Sequence, residues 1–145
     1  MAVDIRALGS VDIPAVVAAV DLFDEEPRAD WTGRFLAADA NHLIGAFDGA
    51  RLIGFVTGVE LTHPDKGTEM FLYELSVAER YRRQGIGAAL VSRLRAIAVE
   101  RGCYGMWVLT ESANEAAQAT YRAGGLDGRS TVLMIDSEWT PRLAR

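Results

Sequence analysis

The sequence predicts a one-domain α/β (α+β) fold with a mixed central sheet. Three observations carry that prediction. Segments with an apolar period of two and segments with a helical period alternate along the chain instead of separating into halves. The stretch Glu69–Val77 is a near-continuous apolar run, which suits a central, buried strand. No internal repeat, linker or low-complexity tract divides the 145 residues, a length suited to one domain over 1–145.

The elements follow in order. Val3–Leu8 alternates apolar and polar side chains and reads as a first strand. Ser10 or Asp12 can cap a helix over Ile13–Phe23, in which Pro14 falls in the tolerant first turn. Pro27 breaks that helix, and Trp31–Asp39 reads as a short second one. Asn41–Phe47 and Arg51–Leu61 read as two strands joined at the hairpin signal Asp48–Ala50. Thr62–Thr68 is a polar turn before the third of these strands, Glu69–Val77. Ala89, Leu90, Leu94, Ile97 and Ala98 recur at helical spacing within Ile86–Gly102, and Gly102 supplies the stop. Tyr104–Thr110 reads as a strand. Asn114–Gly125 reads as a helix with an Asn cap and a Gly stop, and Ser130–Asp136 as a last strand. The expected order is β-α-α-β-β-β-α-β-α-β.

Composition narrows the functional classes. Half of the residues are apolar, enough for a substantial core. No apolar run reaches the roughly 18 residues of a membrane span. The N-terminal stretch lacks the basic-then-apolar order of a signal peptide, and Cys103 is the only cysteine, so no intrachain disulfide framework exists. A cytoplasmic location is the expectation. Two histidines, His42 and His63, are too few for a histidine-rich metal site, and no metal is expected. The net charge of −5 argues against nucleic acid and suits a cationic partner, although ordinary solubility would account for it as well.

The chemistry-bearing stretch is Glu79–Leu90, in which Arg82-Arg83-Gln84-Gly85-Ile86-Gly87 lies between the buried strand and a long helix. A helix start offers unpaired N–H groups and a positive dipole end. Gly85 and Gly87 would let an anion approach the backbone, and Arg82 and Arg83 add directional donors. The run is neither a dinucleotide fingerprint, since the third Gly is missing, nor a P-loop, since no Gly-Lys-Ser/Thr follows. An exposed helix start with incidental arginines would explain the loop alone.

Taken with the preceding Leu75-Ser76-Val77 and the later Asn114 and Tyr121, the loop resembles that of the GNAT superfamily of N-acetyltransferases, whose hallmark is Arg/Gln-x-x-Gly-x-Gly/Ala opening a long helix. The likeness extends over nearly the whole chain. It departs at Gly124–Leu126, where the family commonly has Gly-Phe. The resemblance implies a mostly antiparallel sheet flanked by helices, the GNAT acyl-CoA N-acyltransferase fold, and acetyl-CoA (coenzyme A) as co-substrate. By resemblance, the pyrophosphate would lie on Arg82, Arg83 and the amides of Gln84, Gly85, Ile86, Gly87 and Ala88. The pantetheine arm would enter a splay between Glu74–Val77 and Met106–Thr110, contacting Leu75, Ser76, Val77 and Asn114. A homodimer is a further expectation of the family.

Acetyl transfer to an amine needs a proton acceptor, an oxyanion donor and a proton for the departing thiolate. Glu74, a carboxylate placed mid-strand among apolar residues, is the expected base. Its alternative is a structural ion pair. The Leu75 N–H is the expected oxyanion donor. Tyr121 is the expected acid, or else a packing aromatic. Cys103 follows a helix stop with no histidine near it in sequence and reads as structural.

Within the superfamily, Val20–Glu26, Phe71–Val91 and Trp107–Gly125 resemble the type I aminoglycoside 3-N-acetyltransferases. Glu111, Asn114 and Glu115 stand where that group is expected to carry aspartates. The likeness implies a small polycationic amine partner, preferably an aminoglycoside acetylated at its 3-amino group, with no nucleic acid and no membrane. Asp24, Glu25, Glu26, Tyr73, Glu74, Glu111 and Glu115 would line the acceptor side. For Asp24–Glu26 a solvated helix end is the alternative. Another polyamine, a protein amine, or a catalytically silent coenzyme A-binding module are the rival functions.

Overall fold

The computed structural model describes residues 2–138. Five strands, β1 (Asp4–Ala7), β2 (Asn41–Asp48), β3 (Arg51–His63), β4 (Gly67–Val77) and β5 (Met106–Trp107), form one sheet in the order β1-β2-β3-β4-β5. Every pairing is antiparallel except β4 with β5, which is parallel. Four helices flank the sheet: α1 (Ile13–Ala18), α2 (Ala29–Ala37), α3 (Ile86–Glu100) and α4 (Glu115–Ala123). The mixed, mostly antiparallel sheet is the expected one.

The core lies between the sheet and α3. Leu90, Val91 and Leu94 of α3 are fully buried against Val56, Met70 and Leu72. Leu94 fits because β3 carries Gly58 beneath it: a Cβ there would stand 2.6 Å from Leu94 Cδ1. Such interdigitation of helix and sheet is where apolar burial contributes about 25 cal/mol per Å².

Several boundaries depart from the sequence reading; the expected helix Trp31–Asp39 runs instead over Ala29–Ala37, and Thr62, His63, Gly67 and Thr68 of the expected turn join β3 and β4. The expected helix Ile13–Phe23 ends at Ala18, because Ala19 leaves helical geometry (φ −90°, ψ 51°) and Val20–Leu22 makes one 3₁₀ turn. Asp12 does not cap it either; its carboxylate accepts from the Gly9 N–H at 2.9 Å and from Arg6 at 2.8 and 3.0 Å. The expected strand Tyr104–Thr110 pairs only at Met106 and Trp107, since the parallel ladder holds only Met70↔Met106 and Phe71↔Trp107. The expected last strand Ser130–Asp136 forms no strand and has no ladder partner among the described residues; Val132, Leu133, Met134 and Ile135 are exposed. Val132–Ile135 is an unbroken apolar run, but the two-residue β5 pairs with no further strand among the described residues.

Candidate functional site

The loop is built from its start. After β4, Glu79–Tyr81 makes one 3₁₀ turn, and buried Tyr81 donates from its hydroxyl to Asp48 Oδ2 at 2.7 Å, pinning the turn to the β2–β3 hairpin. Arg82, Arg83, Gln84 and Gly85 are therefore held out in solvent. Arg83 (φ 63°) and Gly85 (φ 80°) both adopt the left-handed conformation, which is costly for arginine and free for glycine. Arg82 Nε donates to Val77 O at 2.9 Å, and Gln84 Nε2 to Arg80 O at 3.3 Å. Gly85 offers α3 no side-chain cap, and no acidic residue sits in the first turn of α3. The N–H groups of Ile86, Gly87 and Ala88 thus belong to a helix start left open to an anion.

Next to the loop, β4 changes face. Between Thr57↔Glu74 and Gly58↔Leu72 the register slips, so Tyr73 has no partner across the ladder. Such a bulge turns two consecutive side chains to one face. Met70 packs beneath Leu94 of α3 before it, whereas Leu75 and Val77 face the start of α3 after it. Tyr73, in ring contact with Phe71 at 5.4 Å, and Glu74 are left on the opposite face. Buried Thr57 accepts the Glu74 N–H through Oγ1 at 3.0 Å. Beyond Phe71↔Trp107 the outer edge of β4 has no partner strand among the described residues, so the backbone of Leu75, Ser76 and Val77 borders an open splay.

Glu74 is not buried as the sequence reading supposed; as a residue it is exposed, because the bulge directs it away from the core. Its carboxyl is still raised above the ordinary glutamate range, first by partial desolvation and then by the negative charge of Asp24. Asp24 is brought there by packing: Phe23 stacks on Phe55 of β3 with ring centroids 4.4 Å apart, anchoring the start of the acidic loop. Asp24, Glu25 and Glu26 are all exposed on that loop. At its far end Arg28 pairs with Asp30 at 2.6 Å and lies 4.1 Å over the ring of Trp31.

On the other side, α4 presents Tyr121. An open cavity of about 1220 Å³ is lined by Tyr121, Leu109, Thr110 and Glu111 along the chain that leaves β5. The Tyr121 phenol is raised above its ordinary value by desolvation, so it stays protonated at neutral pH. Its hydroxyl has no hydrogen-bond partner among the described residues. Asn114 is the N-cap of α4, its Oδ1 accepting the Ala117 N–H at 3.0 Å; that cap, rather than a ligand, holds its oxygen. Glu115 is exposed in the first turn of α4. Burial also pushes the Cys103 thiol up, which makes it a poor nucleophile. Among the described residues no cluster of three metal-ligating side chains occurs, and no helix is long and apolar enough to cross a membrane.

Two groupings emerge from the expected residues. Tyr73 and Glu74 share a face with the Asp24 loop; Tyr121 and Glu111 share the cavity. The loop Arg82–Ala88 closes the end of β4 next to both Leu75 and Val77, whose side chains reach within 3.9 Å of the Cβ position at Gly87. Sequence reasoning missed Thr57, since a threonine within a strand carries no signal of a register slip, and missed the Phe23–Phe55 stack that seats the acidic loop.

The acetyltransferase (GNAT) family model matches residues 14–125. No curated protein sequence matches the chain. Among solved structures, an aminoglycoside acetyltransferase, meta-AAC0020, from an uncultured soil metagenomic sample and in complex with sisomicin, is similar at TM-score 0.85 and 18% identity, over 95% of this chain and 97% of that one. Another from such a sample, HMB0005, is similar at TM-score 0.80 and 25% identity, over 97% and 100%. A ribosomal-protein-alanine N-acetyltransferase from Brucella melitensis biovar Abortus 2308 is similar at TM-score 0.74 and 23% identity, over 94% and 100%.

Proposed function

The chain belongs to the GNAT family of acetyltransferases, and from that premise we propose that it moves acetyl from acetyl-CoA directly to a primary amine of a small polycation, preferably an aminoglycoside. The observation that carries the reading is the pairing of an open, arginine-flanked helix start with a strand edge that has lost its neighbour. These surfaces fit the two halves of the donor. Arg82, Arg83 and the amides from Gln84 to Ala88 would hold a diphosphate, and no atom within 4 Å obstructs the Cβ position at Gly85. The free edge of Leu75–Val77 would receive an amide-bearing arm as an added strand receives its partner. The bound thioester supplies the activated acyl group.

This chain's own residues do the rest. Glu74, in its charged form, takes the proton of the incoming ammonium. Asp24, Glu25 and Glu26 attract the polycation, and its charge lowers the Glu74 pKa toward readiness. The Leu75 N–H points hydrogen-bonding capacity at the developing oxyanion. Tyr121 holds the proton for the leaving sulfur. A disulfide or acyl-cysteine step is not needed, in keeping with the raised Cys103 thiol.

The choice of amine rests on the acidic face and on kinship. Several neighbours are aminoglycoside acetyltransferases, including the 6′-type enzyme AAC(6′)-Iy with 20% identity, and a protein-amine enzyme stands among them. The resemblance to the type I aminoglycoside 3-N-acetyltransferases implies the 3-amino group. A thiol-release screen with acetyl-CoA against gentamicin, kanamycin, spermidine and short N-terminal peptides tests the reading, and NMR of the product assigns the acetylated nitrogen. Turnover confined to peptides would replace the aminoglycoside reading. No thiol release with any amine, despite acetyl-CoA binding, would make the chain a silent binding module.

A further inference from the structure

We propose that Thr57 is the positioning residue for Glu74: its buried hydroxyl fixes the peptide plane that aims the catalytic carboxylate. The inference rests on the reading of Glu74 as base. Three observations lead to it. The β3–β4 ladder slips between Thr57 and Gly58, so a main-chain partner is out of step just where Glu74 leaves the core. The Glu74 N–H is instead accepted by a side chain, Thr57 Oγ1, at 3.0 Å. Thr57 is 6% exposed, one of three polar or charged residues buried among those described, and it sits between Val56 and Gly58 in an otherwise apolar stretch of β3.

Physically, a bulge is a local freedom as well as a kink. The Tyr73–Glu74 peptide could rotate if its N–H had no acceptor, and the Glu74 side chain would swing with it. An apolar residue at 57 would satisfy the core equally well, so burial does not explain the hydroxyl. On the other face of β3, Leu94 of α3 packs directly over Gly58 at the slip, to within 2.6 Å of a Cβ position. The slip thus lies between α3 on one face and the Thr57 hydroxyl on the other.

The test uses Thr57→Val, which keeps shape and loses the acceptor, Thr57→Ser, which keeps the acceptor, and Glu74→Gln. Two readouts are needed. In the first, the carboxyl of Glu74 is titrated by ¹³C NMR in the intact protein, with Asp24 the charged group facing it. Thr57→Val should move the Glu74 titration toward an ordinary glutamate as the carboxyl swings into water, and Thr57→Ser should leave it in place. In the second, turnover with acetyl-CoA and the best amine of the screen, Thr57→Val should lower kcat about 10-fold with the acetyl-CoA KM within about twofold, as expected of lost aim at the reacting centre. Thr57→Ser should restore it, and Thr57→Val should cost nothing further in the Glu74→Gln background. An unmoved Glu74 titration in Thr57→Val overturns the positioning role whatever the substrate. Full activity of Glu74→Gln overturns the base instead, which separates the two failures.

Discussion

Replacing Gly85 by alanine asks whether the loop works through its backbone. The new methyl would meet nothing within 4 Å, so the perturbation is conformational rather than steric. Gly85 sits at φ 80°, where a Cβ costs about 1–2 kcal/mol. For a chain of this size, 1 kcal/mol corresponds to roughly 3–4 °C in Tm. The chain contains its own control: Gly102, at the other end of α3, has φ 81° and is equally open. Gly85→Ala and Gly102→Ala should therefore lose nearly the same Tm. Only Gly85→Ala relieves its strain by turning amides away from a diphosphate. Losing one or two charge-assisted hydrogen bonds, at about 1.5–3 kcal/mol each, should raise the acetyl-CoA KM at least 10-fold. The kcat should change little, because the binding lost is shared by ground and transition states. Thermal melts and steady-state kinetics on both variants decide the matter. Equal acetyl-CoA KM values in the two variants would refute anion binding by the open helix start.

Three further outcomes are expected. Asp24→Asn removes one of the two causes that raise the Glu74 pKa, so the acid limb of kcat/KM against pH should move to lower pH, while desolvation keeps it above an ordinary glutamate; an unmoved limb would separate Asp24 from Glu74. Tyr121→Phe should slow transfer by roughly 10–100-fold and spare acetyl-CoA affinity, as removal of a general acid does; full activity would leave Tyr121 a packing residue. Asp12→Ala should lower stability by about 2 kcal/mol in denaturant melts, since it breaks a carboxylate cradle of Arg6 and the Gly9 N–H in which Arg6 remains partly in water. Asp12 is held below the ordinary aspartate range chiefly by the hydrogen bond from Arg6, so the gap between wild type and variant should be full at neutral pH and shrink below about pH 4.

Much of the fold is legible because its signals are local. The hairpin at Asp48–Ala50, the Asn114 cap and the period of α3 each depend on residues within one turn or one strand. What fails does so where a distant partner decides. Ser130–Asp136 has the apolar run of a strand, but a strand exists only against a ladder, and β5 offers two residues. Ile13–Phe23 has an apolar stripe, but the stack of Phe23 on Phe55 takes the end of the segment off the helical path. The loop Arg82–Gly87 was readable because backbone conformation there is written in glycine. Its neighbour Thr57 was not, because a hydroxyl that accepts from the facing strand looks like any other strand threonine.

That difference bears on how the site is assembled. Had β4 kept its register, strict alternation would have set Glu74 on the same face as Met70 and Leu72, against α3 and away from Asp24. A charged carboxylate in that core would be prohibitive, and the group would have been neutral and useless as a base. One slipped residue between Thr57 and Gly58 converts it into an exposed acid with a raised pKa, next to a loop of three acidic residues. The same slip leaves Leu75 and Val77 pointing at the start of α3, so their backbone edge and the Arg82–Gly85 loop become continuous. The exposed Glu74 face and the free Leu75–Val77 edge beside α3 are thus two consequences of a single bulge, and any change that repaired the register would remove both together.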